Sequence, residues 1–184
     1  MSGALRLFVA AEPPATVRDE LALWARRALG RSSAARRITP ESLHLTLCFL
    51  GEQPSAAAAE IAAVLGSLIE LLADVEDLRI GAPAWLPPRN PRVLAVQVGD
   101  PDGALRALHH VLVGELAAGL GWEPARERFR PHITVARMRA GTERARELPP
   151  TPPLHFAPTA LTLFRSDLDP GGAAYTPLAS IPPI

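Results

Sequence analysis

The chain has 184 residues, 48% of them hydrophobic, enough to build one domain with a real core, while two small lobes also fit that length. Its 19 basic and 19 acidic side chains cancel, so the net field neither attracts nor repels a polyanion and any such contact must be local. Every basic residue is arginine, which excludes a Schiff-base lysine, a phosphate-loop lysine and a lysine–nucleotidyl intermediate, and the single cysteine excludes an internal disulfide or a thiolate-rich metal site.

In chain order, Leu5 to Ala10 reads as a strand. Pro13-Pro14 stops it and opens a helix whose Val17, Leu21, Trp24 and Ala28 share one face. An arginine-rich connection, Arg26 to Arg37, leads to a histidine-bearing strand, and Gly51-Glu52-Gln53-Pro54 turns into a second helix with Ile61, Leu65, Leu68 and Leu72 at helical spacing. Leu78 to Gly81 is a weak strand, Pro83 to Pro91 a proline-rich loop, and Val93 to Val98 a strand by its β-branched content. Gly99-Asp100-Pro101-Asp102 caps a third helix carrying Leu105, Leu108, Leu112 and Leu116. A second histidine-bearing strand follows, then a polar loop from Met138 to Pro153, a strand near Leu161 to Arg165, a turn at Asp169-Pro170-Gly171-Gly172 and an edge strand through Tyr175 to Leu178. Strands alternating with a few helices, joined by turns short enough for hairpins, predict an α+β fold rather than a doubly wound sheet. The apolar run before Glu12-Pro13-Pro14 is too short for a signal-peptide core, and no run approaches the length of a bilayer span, so a cytoplasmic protein is expected.

Two stretches 88 positions apart stand out: Leu43-His44-Leu45-Thr46-Leu47 and Pro131-His132-Ile133-Thr134-Val135. A strand repeats every two residues, so His44 and Thr46 point from one face while Leu43, Leu45 and Leu47 point from the other. His132 and Thr134 are laid out the same way against Ile133 and Val135. An imidazole beside a hydroxyl on a rigid strand is a half-site, and two half-sites can face each other across a cleft. The competing reading is a pair of half-buried sheet histidines bonded to neighbours. Other candidates carry less. His109-His110 lies on the third helix without a threonine partner, His155 sits among prolines, and Cys48 shares the His44 parity but reads as a small buried residue.

The segments Leu5-Arg6-Leu7-Phe8-Val9-Ala10, His44-Leu45-Thr46-Leu47-Cys48-Phe49-Leu50-Gly51 and Arg130-Pro131-His132-Ile133-Thr134-Val135-Ala136-Arg137 resemble the 2H phosphoesterase superfamily. Within it they are similar to the RNA 2′,3′-cyclic phosphodiesterases, also called 2′-5′ RNA ligases. Leu163-Phe164-Arg165-Ser166, Gly171-Gly172 and Tyr175-Thr176-Pro177-Leu178 point to the same branch, so the resemblance runs nearly end to end. It implies a single bilobal domain over residues 1–184, with two pseudo-symmetric antiparallel sheets around a central cleft and helices packed outside. It also implies one histidine motif from each lobe, no metal and no other cofactor.

The implied reaction suits the residue types. Opening a 2′,3′-cyclic phosphate needs a base to take a proton from water and an acid to protonate the departing ribose oxygen. Two histidines, one neutral and one charged near neutrality, supply both. The resemblance makes His44 the proton donor and His132 the proton acceptor, with a terminal 2′-phosphate as product, while Thr46 and Thr134 donate to the non-bridging oxygens. Run backwards, the same groups would join a 5′-hydroxyl to the cyclic phosphate without ATP. Arg137 and Arg130 are candidate phosphate ligands, each against a solvated surface role, and strict alternation puts Arg137 on the face opposite His132 unless the strand twists or ends before it. Phe8 is a candidate base-stacking residue, with core packing as its competing role. The arginines from Arg26 to Arg37 form either a solvated face or a guide for RNA. The expected partners are RNA ends or small cyclic nucleotides, met by a monomer that has no membrane contact. The alternative is a nucleotide-binding 2H domain without catalysis, against which the intact histidines and threonines count.

Overall fold

The computed structural model describes residues 3–30, 32, 34–126, 128–139, 147–169 and 172–184. Strand β1 (Ala4–Glu12) sends Leu7, Val9 and Ala11 into the core and turns Phe8 to the opposite face. Pro13-Pro14 ends it, and helix α1 (Ala15–Leu29) begins at once, burying Val17, Leu21 and Trp24 as their spacing predicts. Gly30, at φ 53°, takes a positive φ that other residues avoid and returns its N–H to the Arg26 carbonyl, closing the helix.

The arginine-rich connection holds an element that the sequence does not announce, the short strand β2 (Ala35–Arg37). A 3-10 turn at Pro40–Ser42 then delivers the chain to β3 (Leu45–Pro54). The expected second helix is two, α2 (Ala57–Ser67) and α3 (Ile69–Ala73), broken at Leu68, yet Ile61, Leu65, Leu68 and Leu72 are all buried. Strand β4 (Leu78–Leu86) continues through Pro83, where a loop is expected; its pairing with β5 (Val93–Gly99) is irregular between Ile80 and Pro83, the kind of place where a strand tolerates a missing N–H. Helix α4 (Ala104–Leu120) buries Leu105, Leu108, Leu112 and Leu116 completely. Asp100 caps it, its carboxylate accepting from the N–H groups of Leu105 and Arg106 at 3.2 and 3.1 Å. Four strands complete the order: β6 (His132–Met138), β7 (His155–Phe156), β8 (Ala160–Asp169) and β9 (Gly172–Ile181). Residues 140–146 of the expected polar loop, 170 and 171 of the expected turn, and 31 and 33 of the arginine-rich connection lie outside the described residues.

The expected α+β class with antiparallel pairing holds. Two ladders form, β3-β1-β8-β9 and β6-β5-β4-β7, with β2 added to β6. They correspond to the two expected sheets, but a single bridge, Leu45 opposite Ile133, joins them into one nine-stranded sheet among the described residues. Helix α1, although it follows β1, packs against β2 and β6 of the other ladder, while α2 packs on β3, β8, β9 and α4. One continuous apolar core results, with residues from both ladders and from all four helices.

Candidate active site

The bridge between the ladders is also the centre of the site. Leu45 and Ile133 face the core, 1% and 0% exposed, so the residues on either side of them must face the other way. Those residues are His44, Thr46, His132 and Thr134, all half-buried. In the antiparallel register set by that pair, position 44 falls opposite 134 and position 46 opposite 132. Each histidine therefore neighbours the threonine of the other strand, and the two imidazoles occupy a diagonal. Thus the structure brings together all four residues singled out by the sequence.

Both rings are held in the same way. His44 Nδ1 lies 2.8 Å from the Ser42 carbonyl oxygen and His132 Nδ1 lies 2.8 Å from the Arg130 carbonyl oxygen. A carbonyl only accepts, so each Nδ1 carries a proton and each Nε2 is left as the nitrogen that can take or give one. Arg130 thus serves the site through its backbone, and its side chain is exposed.

Beyond each threonine the strand carries a β-bulge, at the same place in both motifs. Val9 pairs with Cys48 and Ala10 with Thr46, which leaves Leu47 unpaired; Leu94 pairs with Ala136 and Ala95 with Thr134, which leaves Val135 unpaired. Each extra residue reverses the side-chain parity that follows it. Two expectations change accordingly. Cys48 does not share the His44 face: it turns into the core, where burial raises its thiol pKa to about 12. Arg137 does not lie opposite His132: it comes to the histidine face, where its Nη2 donates to the Tyr175 hydroxyl at 3.0 Å. Phe49, the counterpart of Arg137 in the first motif, arrives on the same face and is 65% exposed.

An aromatic wall stands against His44. Phe8 lies 5.0 Å from the His44 ring centroid, 5.1 Å from stacked Phe164 and 5.1 Å from Tyr175, which also meets His44 edge-on at 5.2 Å. Phe8 is only 1% exposed, so it underlies this wall and leaves no face for a base, contrary to its candidacy as a stacking residue. Phe164, Tyr175 and Pro177 instead line a pocket of about 310 Å³ together with Glu12, Glu41, Ser42, Leu43 and His44. Reading the sequence alone missed Phe49, Glu12 and the cleft placement of Phe164 and Tyr175. The last two stood in family-like segments, but nothing in those segments fixed the direction of the rings.

The electrostatics of His44 follow from this packing. Burial lowers its pKa below the usual histidine value, and the charges of Arg137 and His132 push it the same way; the Ser42 carbonyl and Glu12 oppose them. Glu12 is itself placed by Thr162 Oγ1, which donates to its carboxylate, and by Arg18 at 3.6 Å. His109 plays no part in the cleft. It stacks on Phe129 with ring centroids 3.8 Å apart and reaches the backbone of bulge residue Leu47, and His155 pairs with Asp77 at 2.9 Å. Among the described residues, no group of three or more His, Cys, Asp or Glu side chains is arranged to hold a metal.

Comparison with known proteins agrees with the fold. Residues 11–170 match the 2′-5′ RNA ligase superfamily. The RNA 2′,3′-cyclic phosphodiesterase of Escherichia coli is 31% identical over 180 residues, 97% of this chain and 96% of that protein. A crystal structure from Thermus thermophilus superimposes with a TM-score of 0.81 at 30% identity, covering 96% of this chain and 97% of the other. Escherichia coli LigT in complex with 3′-AMP superimposes with a TM-score of 0.76 at 27% identity, covering 98% of each chain.

Proposed function

The chain belongs to the 2′-5′ RNA ligase superfamily, and from that premise we propose that it opens RNA 2′,3′-cyclic phosphate ends to a 2′-phosphate by acid–base catalysis between His44 and His132. The observation that carries the reading is the register at Leu45 and Ile133. It sets two imidazoles, each with its Nδ1 tied to a carbonyl, and two hydroxyls on one face of a rigid sheet.

In this mechanism His132 Nε2 takes a proton from water as the oxygen attacks phosphorus, and the bond from phosphorus to the ribose 3′ oxygen breaks. His44 Nε2–H protonates that oxygen as it leaves, so the phosphate stays on the 2′ position. Thr46 and Thr134 donate to the non-bridging oxygens, where negative charge is held through the transition state. Arg137, kept in the cleft by Tyr175, adds a charged donor to the same oxygens. The exposed ring of Phe49 offers a flat apolar surface on the same face for a base of the bound end.

The donor role of His44 meets one opposing force, since burial favours its neutral form. An arriving cyclic phosphate is an anion, and its charge beside the ring favours the proton again. The enzyme in this reading acts as a monomer in the cytoplasm and needs no metal. Reversal of the same steps, with a 5′-hydroxyl in place of water, forms a 2′-5′ linkage.

The test is hydrolysis of a short RNA ending in a 2′,3′-cyclic phosphate, with EDTA present, by the wild type and by His44→Ala and His132→Ala. The expected result is a 2′-phosphate from the wild type and loss of turnover in both variants. A 3′-phosphate product, or turnover that survives either substitution, would sink the mechanism. Binding of the RNA without turnover would favour a non-catalytic nucleotide-binding domain.

A further inference from the structure

The cross-strand register that brings Arg137 to the cleft brings a second arginine beside it. Strand β2 pairs with β6 so that Arg36 lies directly opposite Arg137, with Ala35 opposite Met138. Side chains directly opposite each other in an antiparallel pair leave from the same face, about 5 Å apart at Cβ. Ala35 belongs to the core and Met138 packs against it, so Arg36 and Arg137 leave together from the histidine face. The ladder runs one step further, where the Arg139 N–H donates to the Ala34 carbonyl at 3.1 Å; by parity Arg139 joins the same side, and it too is exposed.

Like charges directly opposite each other destabilise a sheet unless something stands between or over them. Among the described residues four other arginines meet a carboxylate: Arg18 with Glu12, Arg79 with Asp77, Arg106 with Asp100 and Arg165 with Asp167. Arg37, adjacent to Arg36, gives its guanidinium to the Gly30 carbonyl. Among the described residues no carboxylate lies within ion-pairing distance of Arg36, Arg137 or Arg139. Among the described residues the sheet therefore carries a cationic row, without a paired carboxylate, leading away from the histidines. An anion with repeated charges is its natural complement.

We propose that Arg36 is a second phosphate-binding residue, taking the phosphate on the 5′ side of the terminal nucleotide and so giving preference to a polynucleotide end over a free cyclic nucleotide. The proposal rests on the cyclic phosphodiesterase reading. Arg137, whose charge is felt at His44, stays with the reacting phosphate. Arg36, one strand further out, meets the next one.

The experiment compares kcat/KM on three substrates: a nucleoside 2′,3′-cyclic monophosphate with no other phosphate, a dinucleotide ending in the same cyclic phosphate, and that dinucleotide with an uncharged methylphosphonate linkage. Arg36→Gln is expected to lower the preference for the dinucleotide over the mononucleotide by about tenfold, the loss of one charged hydrogen bond. Arg36→Lys restores part of it. The methylphosphonate substrate is expected to lower the preference of the wild type by a similar factor and that of Arg36→Gln no further. An unchanged preference in Arg36→Gln overturns the proposal, as do losses from the variant and the neutral linkage that multiply. Affinity for the product dinucleotide bearing a 2′-phosphate is measured alongside. A protein without turnover then refutes the hydrolysis reading while the Arg36 contact is still decided, by whether Arg36→Gln weakens that binding.

Discussion

Arg137 reaches the cleft because Val135 is inserted before it, and a neutral acceptor holds it there, the Tyr175 hydroxyl at 3.0 Å. The phenol adds direction rather than charge. The bond from the charged guanidinium is exposed to solvent, which holds its net contribution to about 1 kcal/mol, so Tyr175→Phe is expected to lower kcat/KM on a cyclic-phosphate RNA by about fivefold while keeping the aromatic wall. Arg137→Ala removes a charged contact to the reacting phosphate, a loss on the order of a hundredfold. The decisive protein is the double variant. If Tyr175 acts through Arg137, adding Tyr175→Phe to Arg137→Ala costs nothing more. Steady-state kinetics of the four proteins reads this, and losses that multiply would show that Tyr175 touches substrate on its own account. Arg36 differs in kind, since its effect depends on the length of the substrate.

Each histidine strand combines a legible half with a hidden one. Alternation in His44-Leu45-Thr46 and His132-Ile133-Thr134 is enough to place four side chains on one face, and the bridge of Leu45 with Ile133 makes that face common to both strands. The bulges at Leu47 and Val135 leave no such trace, because Leu47-Cys48 and Val135-Ala136 are apolar on both sides of the parity change. Strand β2 is hidden for a different reason: Ala35-Arg36-Arg37 has no pattern of its own and becomes a strand by pairing with β6. Pro83 misleads in the opposite direction, since a proline-rich stretch reads as loop until its partner strand is known. Helix α4 is an element whose start could be read, at Asp100, and it offers a test of structure apart from chemistry. Asp100 is 7% exposed and its carboxylate accepts two backbone N–H groups, so Asp100→Ala strands both donors and is expected to cost about 1–2 kcal/mol. Urea denaturation measures that cost. Since Asp100 lies outside the cleft, kcat/KM at a temperature where the variant is folded should match the wild type, and a parallel loss of activity would place α4 in the catalytic machinery.

The two ladders are interleaved along the chain. One takes 4–12, 45–54, 160–169 and 172–181, the other 35–37, 78–86, 93–99, 132–138 and 155–156. Neither half of the sequence owns a complete ladder, α1 covers the ladder to which its preceding strand does not belong, and the core is continuous. We therefore propose that residues 1–184 unfold as one unit, with tryptophan fluorescence and far-UV circular dichroism following a single transition. Acid should weaken that unit. Burial lowers the pKa of both His44 and His109 below the ordinary value of 6.5. Above 6.5 both rings are neutral in the folded and unfolded chains alike. As pH falls past it, the unfolded chain takes up protons that the folded protein resists, so the stability present above 6.5 drains away until the folded-state pKa values are passed. The expected Tm of the substrate-free protein is thus level above about pH 6.5 and declines toward 5.5, a window in which ordinary carboxylates remain ionised. His44→Gln combined with His109→Gln, which titrates at neither position, should start from a lower Tm but decline less steeply. An equal slope in the two proteins would show that these buried rings are not the source of the acid sensitivity.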